Sequence, residues 1–356
     1  MNNEDNIKKR NRLQHLRAQL EMDRSSYISH WRDLADNILP RRARFTLSND
    51  KRGDKVNQNI IDNTGTLANR TLQSGMMAGV TSPARPWFKL TSEDPMLADS
   101  ENVKAWMHIV SSRMATVFIR SNLYNALPVL YGSLGTFGTG SMLMEEAFDG
   151  SVVRFYPFPI GSYYLANDSK LRVDTFIREY RLTVRQIVDQ FGKQPDGSIK
   201  WDNITETVKN QYENNNLETT VDVVHTIYPN PDYKENKLEA KYKKWASVYY
   251  EAGQSARGQV GSSTTDNAEG KFLRESGFDY FPVLAPRWES TAEDVYGNNC
   301  PGMVALGDVK QLQMGEKRAL QAIDKQVNPP MIGPESLRNK KASLLPGDIT
   351  YNDVRE

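Results

Sequence analysis

The sequence predicts an α+β fold on three observations. Apolar residues recur at helical spacing through roughly the first 134 residues, alternate with a period of two over about 141–290, and return to helical spacing over 304–327. In the opening segment Leu13, Leu16, Leu20, Tyr27, Trp31, Leu34 and Ile38 lie three, four or seven apart, which lays one apolar stripe along a long helix. Pro40 ends that helix, and Arg41, Arg42 and Arg44 follow, where cations offset the negative end of the helix dipole. A second helix is predicted over 59–78 through Ile60, Ile61, Leu67, Leu72, Met76 and Met77, closed by Ser82-Pro83 and Arg85-Pro86. A third runs over 100–120, with Ser100 as its N-cap and Glu101 in the first turn.

From Ser141 the pattern is that of strands. Segments 142–148 and 151–156 flank Asp149-Gly150, a dipeptide suited to a two-residue hairpin because both central positions need positive φ. Segments 162–166 and 172–180 flank a turn at Asn167-Asp168, and Thr183 caps a short helix over 183–191. Strands resume over 221–228 and 242–251, where Val223, Ile227, Trp245, Val248 and Tyr249 favour a pleated surface. The stretch 252–270 is rich in Gly, Ser and Thr and reads as a mobile loop. The last predicted helix, 304–327, is about 36 Å long and carries Leu306, Val309, Leu312, Leu320, Ile323 and Val327 along one side. Pro329-Pro330 stops it. Such a rod with a narrow stripe needs neighbours.

Composition narrows the function. A chain of 356 residues exceeds one ordinary hydrophobic core, so two or more subdomains are expected. With 45 Lys and Arg against 44 Asp and Glu, the net charge of +1 argues against a protein whose main task is gripping nucleic acid. The single cysteine, Cys300, excludes an internal disulfide, and the scattered His15, His30, His108 and His225 show no metal-ligand spacing, so no metal or cofactor is expected. No apolar run is long enough to span a bilayer, and the polar start lacks a secretory core.

Three constellations could carry chemistry. The run Gly132-Ser-Leu-Gly135-Thr-Phe-Gly138-Thr-Gly140 has the small residues of a phosphate cradle, but a helix precedes it and a strand follows, the reverse of the order such a loop needs; tight helix-to-strand packing is the better reading. Glu145-Glu146 and Glu293-Asp294 are adjacent carboxylates, and neighbours on a strand point to opposite faces, so they read as solvated surface and no catalytic residue is assigned. Arg41, Arg42 and Arg44 and the cations Lys310, Lys317, Arg318 and Lys325 of the last helix could touch phosphates, against a reading as dipole compensation and solvation.

Three stretches carry a resemblance: 31–45 (Trp31-Arg-Asp-Leu-Ala-Asp-Asn-Ile-Leu-Pro-Arg-Arg-Ala-Arg-Phe45), 59–66 (Asn59-Ile-Ile-Asp-Asn-Thr-Gly-Thr66) and 72–88, within which the block from Ser74 to Phe88 is the most specific, being long and nearly gap-free. Together with Gly135-Thr-Phe-Gly-Thr-Gly140 and the segment from Tyr296-Gly to Pro330 they resemble the portal (head-to-tail connector) proteins of short-tailed phages over most of the chain. The resemblance implies a structural protein, not an enzyme, in a ring-shaped homo-oligomer, normally a dodecamer, at one capsid vertex of the virion. Double-stranded DNA passes through the channel without sequence specificity during packaging and ejection. Terminase, tail adaptor proteins, the major capsid protein and scaffolding protein are the implied partners, and assembly is in the host cytoplasm. It further implies a wing over 1–300 (1–134 mainly helical, 141–290 mainly strands with short helices), a first stem helix over 301–328, and the start of a clip over 329–356. Lys310, Lys317, Arg318 and Lys325 become the candidate channel or subunit-interface residues. Family members continue past this point through the rest of the clip, a second stem helix and a crown, so this polypeptide alone is expected to be mostly monomeric or to aggregate. Nucleic-acid-binding and carbohydrate-active phage proteins are the alternative classes.

Overall fold

A long helix, α1 (Asn3–Asn37), opens the chain in the computed structural model, which describes residues 3–40, 60–148, 150–194, 196–252, 270–327 and 329. Its stripe packs as the spacing predicts: Leu13, Leu20, Trp31, Leu34 and Ile38 are buried, with Leu16 and Tyr27 partly buried beside them. Arg41, Arg42 and Arg44 lie outside the described residues. Four helices follow, α2 (Thr64–Gly79), the short α3 (Pro95–Asp99), α4 (Glu101–Arg120) and α5 (Leu123–Phe137). The start of α2 differs from expectation, whereas α4 keeps its expected bounds but lacks a capping bond. Residue 59 lies outside the described residues and 60–63 are not helical; α2 starts at Thr64, whose N–H donates to Asp62 Oδ1 at 2.8 Å. Ser100 stands at the N-cap of α4 without a side-chain cap bond, while its carbonyl accepts from Lys104 N–H at 3.0 Å.

The helical reading to residue 134 is interrupted between α4 and α5. There Asn122 holds Phe155 in both directions, its Nδ2 donating to the Phe155 carbonyl at 2.7 Å and its Oδ1 accepting the Phe155 N–H at 2.8 Å. The helix after this break, α5, is buried on nearly every side, which is why it shows no amphipathic stripe.

Among the described residues eight strands form two antiparallel sheets. β1 (Ser141–Ala147) lies between β2 (Val152–Phe158) and the two-residue β8 (Val283–Leu284). The larger sheet runs β3 (Tyr163–Asn167), β4 (Val173–Thr183), β5 (Thr220–Pro229), β6 (Trp245–Glu251) and β7 (Arg274–Phe278) in order. The β1–β2 register ends at Ala147 opposite Val152, so the connection has four residues and not the predicted two; Gly150 takes φ +85° within it, and Asp149 lies outside the described residues. Thr183 caps α6 (Val184–Ile187) in a reciprocal box with Gln186, and a π turn, Val188–Gly192, extends the helix. α7 (Glu206–Glu213), β7 and β8 were not expected from the pattern. β6 starts at Trp245, three residues late, because Ala240–Tyr242 form a 3₁₀ turn. The loop predicted over 252–270 falls, except at its two ends, outside the described residues.

α1 serves both faces of the larger sheet. Leu13 and Leu20 pack on Tyr164, Ile177, Val224 and Tyr228, whereas Trp31, Leu34 and Ile38 pack with Tyr163, Leu165, Phe176 and Ile227, the alternate set that strand geometry places on the opposite face. Between them Arg24 passes the β3 edge, donating to the carbonyls of Gly161 at 3.0 Å and Tyr163 at 2.8 Å, with its guanidinium 4.0 Å from the Tyr164 ring centroid. α5 turns into β1 at Gly138, left-handed at φ +74°. A Cβ there would lie 2.3 Å from the Gly297 carbonyl oxygen, because the segment leading to the last helix crosses backbone on backbone at this point. That segment is tied down by Trp288 N–H to Gly138 O at 2.8 Å and Gly297 N–H to Thr139 Oγ1 at 2.8 Å. It delivers the chain into α8 (Pro301–Val327), which starts three residues before the predicted 304 with proline in its first turn.

Candidate functional site

The glycine-rich run around α5 and β1 packs, as expected. Gly132 and Gly135 lie inside α5, and Gly138 caps it with its N–H on the Leu134 carbonyl at 3.0 Å. The adjacent carboxylates also have structural partners. Glu145 Oε1 accepts from the Tyr249 hydroxyl at 3.3 Å, and Asp294 accepts from Thr291 Oγ1 at 2.6 Å, Asn298 Nδ2 at 2.9 Å and the Tyr27 hydroxyl at 3.3 Å. These bonds, the Thr291 hydroxyl foremost, hold the Asp294 carboxyl below its ordinary range. Among the described residues no group of three or more His, Cys, Asp or Glu side chains could hold a metal ion, and no helix is long and apolar enough to cross a membrane.

The chemistry of the surface is concentrated elsewhere. α4 buries none of its 20 residues, and Trp106, at 60% exposure, stands open with Ile109 and Ile119. Between α4 and the extended segment before it runs a cleft of about 710 Å³ walled by Trp87, Phe88, Leu90, Met107 and Ile119. α8 is the second such region. Its first half is rooted: Gly302, Leu306 and Val309 are buried, Cys300 Sγ donates to the Thr136 carbonyl at 3.2 Å, and burial pushes the Cys300 thiol up. From Met314 to Val327 all 14 residues are exposed, a rod of about 21 Å. Leu320, Ile323 (54% exposed) and Val327 continue the buried stripe outward with nothing on them among the described residues.

At about 100° of rotation per residue, Leu306, Val309, Leu320, Ile323 and Val327 share one arc of the rod, and Lys310, Lys317, Arg318 and Lys325 share the neighbouring arc of about 100°. The four cations named from the sequence therefore lie on one flank, but they are not equivalent. Lys310 Nζ pairs with Asp33 of α1 at 2.8 Å, in the half of α8 that packs on the body. Lys317, Arg318 and Lys325 are exposed on the free half. Sequence reasoning missed Gln313, the last buried residue of α8, whose carboxamide bonds the backbone of Ile61 and Asp62. A glutamine in a helix carries no local signal, and its partners lie some 250 residues away in the chain.

Exposed apolar helix faces are surfaces that a partner, a ligand or further polypeptide covers. The chain belongs to the bacteriophage head-to-tail connecting protein family, whose family model matches residues 10–356. It is 52% identical to the portal protein of Salmonella phage epsilon15 and 42% identical to the probable portal protein of Bordetella phage BPP-1. Each match covers 337 residues, 95% of this chain and 57% of the relative, so the chain spans a little over half the length of these curated relatives.

Proposed function

We propose that the chain forms the body and the first stem helix of a phage portal subunit, one of a ring of copies, normally twelve, that conducts double-stranded DNA into and out of the capsid. In this reading residues 1–300 are the wing, 301–328 the first stem helix and 329–356 the start of the clip, of which only residue 329 is among the described residues. The reading places the ring at one vertex of the virion, assembled in the host cytoplasm against the major capsid and scaffolding proteins. Terminase docks on it during packaging and tail adaptors afterwards.

The observation that carries it is the free half of α8: 14 uncovered residues with an apolar arc beside a cationic arc. A ring needs both, one arc to pack on the neighbouring copy and one to present charge. The near-zero net charge of +1 suits a conduit, since a wall that bound phosphate strongly would stall its cargo. Lys317, Arg318 and Lys325 are the channel candidates, and Lys310, held by Asp33, belongs to the root.

The test is a chimera in which this chain replaces the matching part of the epsilon15 portal protein. Electron microscopy of the purified chimera is expected to show rings with a central hole. Folded monomers in place of rings would overturn the proposal.

A further inference from the structure

α8 changes character at one residue. Before Gln313 its inward positions are buried, and after it every residue is exposed. Gln313 itself is 9% exposed, a carboxamide placed where the helix leaves the body. Its Oε1 accepts the N–H groups of Ile61 at 2.7 Å and Asp62 at 2.9 Å, and its Nε2 donates to the Asp62 carbonyl oxygen. One side chain thus satisfies three peptide groups of 60–63, a stretch with no helix or ladder to satisfy them.

Three helices meet there. Asp62 Oδ1 accepts the N–H of Thr64 and so starts α2, and Thr66 Oγ1 donates to the Ile38 carbonyl at the end of α1 at 2.8 Å. Gly65 lets α2 close on α8, since a Cβ there would lie 3.1 Å from Val309. The Lys310–Asp33 pair at 2.8 Å joins α8 to α1, but both side chains are about half exposed, and such pairs contribute little. Contacts of Leu306 and Val309 are non-directional, whereas hydrogen bonds to fixed peptide groups are directional.

We propose that this joint sets the angle at which the free half of α8 leaves the body, and that Gln313 is its positioning residue. The root from residue 302 to 313 is about 16 Å long and the free half about 21 Å, so play of about 1 Å at Gln313 becomes about 2 Å at the tip. That is a sizeable part of the ~5.4 Å pitch that registers one helix on another. The value of a fixed angle for packing against neighbouring copies rests on the portal reading; the angle itself does not.

The experiment is carried out on the 356-residue chain with spin labels at Met22→Cys, on exposed α1, and Gln326→Cys, near the free end; Cys300 is buried and is not a competing site under native conditions. Double electron–electron resonance should give a narrow distance distribution. Gln313→Ala should widen it at least twofold with an unchanged circular dichroism spectrum. Gln313→Glu, which keeps an acceptor for both N–H groups, should recover at least half of the narrowing, and Lys310→Ala should leave the width as it was. An unchanged width in Gln313→Ala, or equal widening in Lys310→Ala, would overturn the proposal. If Gln313→Ala unfolds, Gln313→Met, of similar volume, is judged by the same widths; unfolding of both would make Gln313 part of the core and sink the joint. These distances are measured without any ring, so absence of rings in the epsilon15 chimera refutes the portal reading and leaves the joint standing.

Discussion

His225 shows how a single residue ties this sheet to pH. It sits fully buried in β5, stacked on Tyr249 with ring centroids 3.8 Å apart and planes 8° from parallel, and its Nε2 meets Ser247 Oγ at 2.9 Å while Nδ1 finds no partner among the described residues. Register places Arg178 opposite it on β4 and Tyr249 on β6, with Arg274 one strand further on β7. Burial first, and then Arg178 and Arg274, hold the imidazole well below its usual value near 6.5, so the folded protein keeps it neutral. The unfolded chain takes up that proton near pH 6.5 and the folded chain does not. The contribution is therefore intact above about pH 6.5 and declines as pH falls below it, by up to about 1.4 kcal/mol per unit. Urea unfolding between pH 7.5 and 5 should show this slope, and His225→Phe, which keeps the stack, should flatten it; an equal slope in the variant would exclude His225 as its source.

At the scale of elements, the free half of α8 separates folding from assembly. Leu320→Gln with Ile323→Gln replaces apolar side chains that are more than half exposed, so the stability of the chain alone should change by no more than about 0.5 kcal/mol. In the epsilon15 chimera the same pair should abolish rings. A large drop in melting temperature of the chain alone would show that the arc is covered from within. The stripe of α1 and the rod of α8 were legible because their residues repeat at helical spacing, and Thr183 because Gln186 stands three residues on as a capping box requires. The bounds of α5 are not legible in the sequence: it is buried on nearly every side and holds Pro128 and two glycines, features that speak against a helix locally and are overridden by packing. β7, with Arg274, Glu275, Ser276 and Gly277, carries no apolar alternation of its own and becomes a strand because β6 offers it an edge. The cations on α8 were legible as a group, whereas the difference between Lys310 and the other three depends on Asp33, a partner set by the tertiary fold.

For the whole molecule, the proposed conduit sets a division of labour among those cations. Replacing Lys317, Arg318 and Lys325 together by Ala in the chimera should leave rings intact and change the DNA content of filled heads at least twofold, read from capsids after infection. Normal packaging alongside lost rings would instead seat these side chains between copies. The body that carries the rod is joined to it in an unusual manner. Where Gly138 and Gly297 cross, main chain lies on main chain, and the 286–300 segment is pinned there by peptide and hydroxyl hydrogen bonds immediately before α8 begins. In the proposed conduit, traction along the rod would therefore reach the body at this backbone crossing as well as through the side chains that root α8, and would pass from both into β1 and α5.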